Sequence, residues 1–209
     1  MLAKNANARD RILTRQEYEK LLADAPTHLK GILTIGYWTG MRKGEILNLT
    51  WDKVCLKERV IKLAAEDTKE GRAKKIPIGA YVYDMLKGTV RHLHENHVFL
   101  YYARPIKHFS TALKTSCEKA NIVWGREVEG GFIFHDLRHT FVTDMRKAGV
   151  QKSVRMSITG HSPKDMDDRY NRVDDNDRLD AINQLESYRS GEMKLQNVDH
   201  LVDQEKSTI

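Results

Sequence analysis

The sequence predicts an α+β domain that is mainly α-helical and carries a small antiparallel β-sheet at one edge. Three observations support this. Apolar residues recur at helical spacing in several separate stretches, as in Leu29, Ile32, Leu33 and Ile35. The period shortens to that of strands between Val54 and Ile78. Pro77 falls in the last of those strands, and a residue with no amide hydrogen to donate suits an edge position.

In chain order, residues 1–12 are small and polar and read as a flexible leader ahead of a domain spanning 13–190. Thr14-Arg15-Gln16-Glu17 matches a capping box, so a short helix through Leu21 and Leu22 is expected, ending before Pro26. Residues 27–38 read as a core helix. Gly40 relaxes the chain into the next helix, with Arg42 in its first turn, Ile46, Leu47 and Leu49 facing the core, and Glu45 within reach of Arg42. Val54, Leu56, Val60, Ile61 and Leu63, then Ile76 and Ile78, form the short strands. Between them, Glu66 to Arg72 is a polar hairpin tip that carries Lys69 outward. A helix is expected over 80–95, from Val82, Met85, Leu86, Val90 and Leu93, and another beginning at Pro105 and running through Phe109, Leu113 and Cys117. Leu137, Phe141, Met145 and Ala148 make an apolar stripe that marks a further core helix, and Gln151 to Thr159 a shorter one closed by Gly160.

The 209 residues suffice for one domain with a real core. Their formal charge of +6 is unevenly placed. Residues 173–209 hold nine acids against four bases, a net of −5, which leaves +11 on residues 1–172. A basic body with an acidic end fits a polyanion-binding surface; the plainer reading is a solvated basic face. Cys55 and Cys117 stand far apart, which argues for free thiols rather than a disulfide framework or a CxxC metal site. No apolar run approaches the ~20 residues of a membrane span, and the start lacks the apolar core of a secretory signal. A cytoplasmic chain with no membrane partner is the expectation.

Chemistry concentrates between His135 and Tyr170. Helical spacing sets His135, Arg138 and His139 at i, i+3 and i+4, so that an imidazole and a guanidinium converge on one anion. The same spacing permits a zinc reading for His135 and His139, but Asp136 replaces the glutamate of that motif and no third ligand stands at a recognisable spacing. His161 follows Gly160 at a tight turn, and Tyr170 comes nine positions later in a charged segment.

Together these residues resemble the catalytic domain of the tyrosine recombinase (phage integrase) family, over roughly residues 12–180. The family's Arg after Thr-Gly matches Arg42 in Thr39-Gly40-Met41-Arg42, with Glu45 in support. Its hairpin Lys ahead of a Pro-containing strand matches Lys69, with Lys74 and Lys75 as competitors. Its His-x-x-Arg matches His135 and Arg138, its Gly-His matches Gly160-His161, and its nucleophilic Tyr matches Tyr170. Ile158-Thr159 replaces the more usual Leu-Leu, and Asn171-Arg172 the frequent residues after Tyr.

The resemblance implies a site-specific DNA recombinase or integrase that cleaves and rejoins strands through a 3′-phosphotyrosyl intermediate, with no cofactor, metal or ATP. It also implies double-stranded DNA as partner, self-association as a tetramer on DNA through the carboxyl-terminal segment, and nucleoid association when DNA-bound. A phosphodiester gains charge when attacked, so guanidinium forks at Arg42 and Arg138 suit its non-bridging oxygens. No GxxxxGK[ST] loop and no two-metal carboxylate cluster is present in the sequence. A type IB topoisomerase uses a similar set, though Gly160-His161 and its spacing to Tyr170 favour a recombinase; a non-catalytic DNA-binding module is the other alternative. The family's amino-terminal DNA-binding domain is not represented in these residues. Leu179, Ile182 and Leu185 form an apolar strip suited to docking, and 191–209 reads as a flexible acidic tail.

Overall fold

Helix α2 (Thr27–Thr39) is the axis of the packing, because its sequence is apolar on more than one side. Leu29, Ile32, Leu33 and Ile35 are fully buried, and α1 (Arg15–Asp24), α3 (Lys43–Leu47), α4 (Ala80–Gly88) and α6 (Asp136–Lys147) pack around it. The computed structural model describes residues 11–160 together with Ile182, Asn183, Leu185 and Glu186. Among the described residues no helix is long and apolar enough to cross a membrane.

Helix α1 starts at the expected box: Thr14 Oγ1 accepts from Glu17 N at 3.2 Å, and Glu17 Oε2 accepts from Thr14 N at 2.8 Å. Leu13, just before it, is buried and donates its amide to Thr140 Oγ1 at 2.9 Å, which ties the start of the fold to α6. Strands β1 (Val54–Cys55), β2 (Val60–Leu63) and β3 (Lys74–Pro77) form an antiparallel sheet in that order, so Pro77 lies on an edge strand, opposite Val60. In β3 the pleat alternates Lys74 and Ile76 inward with Lys75 and Pro77 outward.

Two helices begin or end elsewhere than the periodicity predicts. Helix α4 stops at Gly88, and Val90 and Leu93 are 86% and 88% exposed. The helical spacing there is real, but no core surface faces those positions. The residues that follow pair instead with the chain after α3, Val98 N donating to Leu49 O at 2.8 Å and Trp51 N to Asn96 O at 3.0 Å. Pro105 does not open a helix. It pairs with Leu100 in a two-stranded hairpin, β4 (Leu100–Tyr101) with β5 (Arg104–Pro105), and α5 runs over Ser110–Lys119. Tyr102 and Ala103 take positive φ at the hairpin turn, which fixes the chain reversal there. Cys55 and Cys117 are free; Cys117 is a core residue of α5 whose thiol is pushed up to about 12 by burial.

Helix α7 (Lys152–Thr159) ends at Gly160, whose φ of 71° is the left-handed cap expected of it. Of residues 171–209, a separate unit, the described four are helical, with Ile182 and Leu185 exposed. Leu179 and residues 191–209 lie outside the described residues.

Candidate active site

The site is built on a close approach of α2 and α6 that glycine makes possible. A Cβ on Gly36 would stand 2.9 Å from Phe134 Cζ and 3.0 Å from Leu137 Cδ1, and one on Gly40 only 2.4 Å from Phe141 Cδ1. Gly40 also takes φ 63°, so the turn after α2 needs glycine on two counts. This turn aims Arg42 toward the same region that α6 reaches with Arg138.

Arg138 is 2% exposed and joins three elements. Its Nη1 donates to Gly40 O at 2.8 Å and its Nη2 to Thr159 O at 2.7 Å, linking α6 to the α2–α3 turn and to the last turn of α7. A buried guanidinium needs acceptors for its protons, and carbonyls of a turn and of a helix carboxyl end supply them with favourable polarity. Thr159 is buried, and its hydroxyl donates to Arg155 O at 2.7 Å within its own helix.

Arg42 precedes α3 and is part-buried. Its amide donates to Glu45 Oε2 at 2.9 Å, and its Nη1 reaches Glu45 Oε1 at 3.3 Å. The Arg42–Glu45 pair is not the exposed surface bridge that its spacing alone suggests, because Glu45 is 4% exposed. The stronger partner of Glu45 is Lys74, whose Nζ donates to Glu45 Oε1 at 2.7 Å and approaches Thr159 O at 3.5 Å. Burial pushes the Lys74 pKa down against the raising effect of Glu45, and the nearby charges of Arg138 and Arg42 push it further down.

His135 stands at the start of α6, with its ring 4.8 Å from that of His139 in an edge-on arrangement. Though His135 reaches solvent, the protein packed around it disfavours the imidazolium, and Arg138 next to it adds to that effect, so its pKa is lowered. It is thus a neutral imidazole at physiological pH, fit to accept a proton. Asp136, fully buried, accepts from Ile133 N at 2.8 Å and fixes the entry into the helix. Among the described residues no group of three His, Cys, Asp or Glu side chains is arranged to hold a metal ion.

The structure therefore brings together Arg42, Glu45 and Arg138, with His135 beside Arg138. It adds Lys74, which the pleat of β3 turns inward. It does not bring in Lys69, which is exposed on the β2–β3 hairpin and takes no part in these contacts. It adds Glu70 instead, whose carboxylate pairs with the Arg42 guanidinium, Nη1 to Oε2 at 2.7 Å. Nothing in the sequence signals Glu70, since an acid on a hairpin tip is ordinary. Lys74 had a signal: it shares a face with Ile76 in a strand that alternates. His161 and Tyr170 lie outside the described residues.

The sequence pattern of the phage integrase family matches residues 11–177. The chain belongs to the phage integrase family. Two relatives show how this phage integrase family chain compares with longer proteins. The integrase of Salmonella phage P22 is 27% identical over 188 residues, covering 87% of this chain and 48% of that protein. The shufflon-specific DNA recombinase of Escherichia coli is 29% identical over 174 residues, covering 81% and 42%. The chain thus spans about half the length of these two relatives. Among solved structures, the catalytic domain of bacteriophage HP1 integrase superposes with a TM-score of 0.60 at 23% identity, over 82% of this chain and 93% of that one. The XerA recombinase gives a TM-score of 0.64 at 22% identity, over 83% and 64%. The fold is that of these phage integrase family catalytic domains.

Proposed function

We propose that this chain is the catalytic unit of a site-specific DNA recombinase or integrase that breaks and rejoins DNA strands through a 3′-phosphotyrosyl intermediate. The observation that carries the reading is the convergence of three cations from three separate elements: Arg42 and Lys74 share the Glu45 carboxylate, and Lys74 and Arg138 share the Thr159 carbonyl. Burying three cations together is costly unless an anion repays it. Two carboxylates, Glu45 and Glu70, balance them in part, and a phosphodiester is the anion that a chain of this family is suited to accept.

In this reading Arg42 and Arg138 hold the non-bridging oxygens, and His161 adds a further donor. The Tyr170 oxygen forms a bond to phosphorus as the bond to the 5′ oxygen breaks. Neutral His135 takes the phenol proton, and Lys69, moved inward on its hairpin, gives a proton to the departing 5′ oxygen. The phosphotyrosyl bond conserves the energy of the phosphodiester, so a 5′ hydroxyl reseals the strand without ATP or a metal. Glu45 positions Arg42 through backbone and side chain together. The partner is double-stranded DNA, in the cytoplasm and at the nucleoid, with assembly as a tetramer through the carboxyl-terminal segment that contains Ile182 and Leu185. The catalytic domain spans 13–190, between a leader at 1–12 and an acidic tail at 191–209.

A library of nicked duplexes of random sequence, incubated with the chain in excess chelator, tests the reading. Adducts that survive denaturant are expected, and they should be lost in Arg42→Ala and Arg138→Ala. Adducts that persist in both variants, or that vanish only because of the chelator, contradict it.

A further inference from the structure

The hairpin between β2 and β3 bends its tip into a compact turn. Thr68 Oγ1 accepts from Arg72 N at 3.1 Å and lies 2.9 Å from Arg72 O, and Gly71 N donates to Thr68 O at 3.2 Å with Gly71 at φ 63°. Lys69 and Glu70 are the adjacent residues enclosed by this closure. The base of the hairpin is anchored separately, by Lys53 Nζ on Asp67 Oδ1 at 2.5 Å and Asp67 Oδ2 on Ala64 N at 2.9 Å.

Glu70 points inward and Lys69 outward. The Glu70 carboxylate takes both terminal nitrogens of Arg42. It also lies beside the cluster: a Cβ on Gly160 would stand 3.6 Å from Glu70 Oε2 and 3.7 Å from Lys74 Nζ. A forked carboxylate on a guanidinium has the geometry of two phosphate oxygens on the same group. Glu70 therefore occupies the two terminal nitrogens that a phosphodiester bound in the same fork would take, and the two anions compete for that pair.

We propose that Glu70 is a built-in stand-in for the scissile phosphate, a positioning residue that keeps the hairpin tip in its Lys69-out arrangement until DNA displaces it. This rests on the proposed function, which makes Arg42 a phosphate ligand. Lys69 and Glu70 are consecutive residues of one turn, so a tip that releases Glu70 from Arg42 must also move Lys69. Entry of the phosphate and delivery of the lysine become one exchange. The charge balance agrees, since an anion leaves the Arg42 guanidinium as another arrives.

The test compares Glu70→Gln with Glu66→Gln, which removes an equal charge from an exposed position of the same hairpin. The probe is a short duplex of arbitrary sequence at low salt. Glu70→Gln should bind about twofold to fivefold more tightly than Glu66→Gln, the range expected for freeing a part-exposed ion pair. That gain should vanish in an Arg42→Ala background, which a general loss of negative charge would not explain. Amide exchange at residues 68–72 of the free protein should be faster in Glu70→Gln than in the unsubstituted chain. Equal affinities in the two glutamine variants, a gain that survives Arg42→Ala, or tip amides that exchange alike would each overturn the proposal. Loss of adducts in Arg42→Ala alongside any of these results leaves the function standing and removes only the role of Glu70.

Discussion

At the residue scale the decisive pairing is Glu45 with Lys74. Both side chains are almost wholly enclosed, 3% and 5% exposed, so the pair belongs to the class in which removing one partner strands a buried charge. Glu45→Ala should therefore cost about 3 kcal/mol or more in urea unfolding, whereas a solvent-screened surface pair such as Arg15 with Glu19 contributes little. A comparably small loss would show that Lys74 finds another partner. His135 gives the pH prediction. Its folded pKa is lowered, so between that value and the ordinary imidazole value the unfolded chain binds more protons than the folded one. Stability then rises with pH across the interval, and below it the penalty for charging His135 is fully present. His135→Gln should flatten this rise in chemical-denaturation midpoints measured from mildly acid to neutral pH. A rise of the same size in the variant would assign it to another group.

At the element scale, glycine sets how near α2 and α6 come, and that distance sets where two guanidinium groups meet. Gly40→Ala combines a left-handed φ with a Cβ 2.4 Å from Phe141. The backbone term alone is about 1–2 kcal/mol and overpacking adds about 1–3 kcal/mol, so a loss of about 2–5 kcal/mol is expected in thermal or urea unfolding. Wild-type stability in Gly40→Ala would mean that the turn relaxes freely. Most elements were legible in the sequence because their signals are local: the Thr14 box, the glycine cap at Gly160, and Pro77 opposite Val60 on an edge. The misread ones depended on partners distant in the chain. Val90 and Leu93 have helical spacing, but no core surface faces them, and the residues that follow pair through their backbone with Leu49 and Trp51. Pro105 has the residue type of a helix start, but proline also fits a hairpin strand, and there it pairs with Leu100. At the candidate site, the spacing and the family pattern single out Arg42, Glu45, His135 and Arg138, which the fold brings near one another. Lys74 needed the strand register, and Glu70 needed the folded hairpin, because only the fold brings its carboxylate to Arg42.

At the scale of the whole molecule, +11 on residues 1–172 against −5 on 173–209 is the charge balance that the proposed DNA partner calls for. Binding of a random duplex should weaken by at least about tenfold between roughly 50 and 200 mM salt, as counterions released by phosphate contacts return. Affinity independent of salt would argue against backbone contacts as the main term. The identity of the attacking group decides the proposed chemistry most directly, and one measurement addresses it. Adducts recovered from nicked duplexes can be digested with protease and the nucleotide-bearing peptide identified by mass. The account predicts a single modified peptide containing Tyr170 linked to a 3′ phosphate, and no adduct at all from Tyr170→Phe. A nucleotide on any other residue, or an adduct that survives Tyr170→Phe, would contradict it.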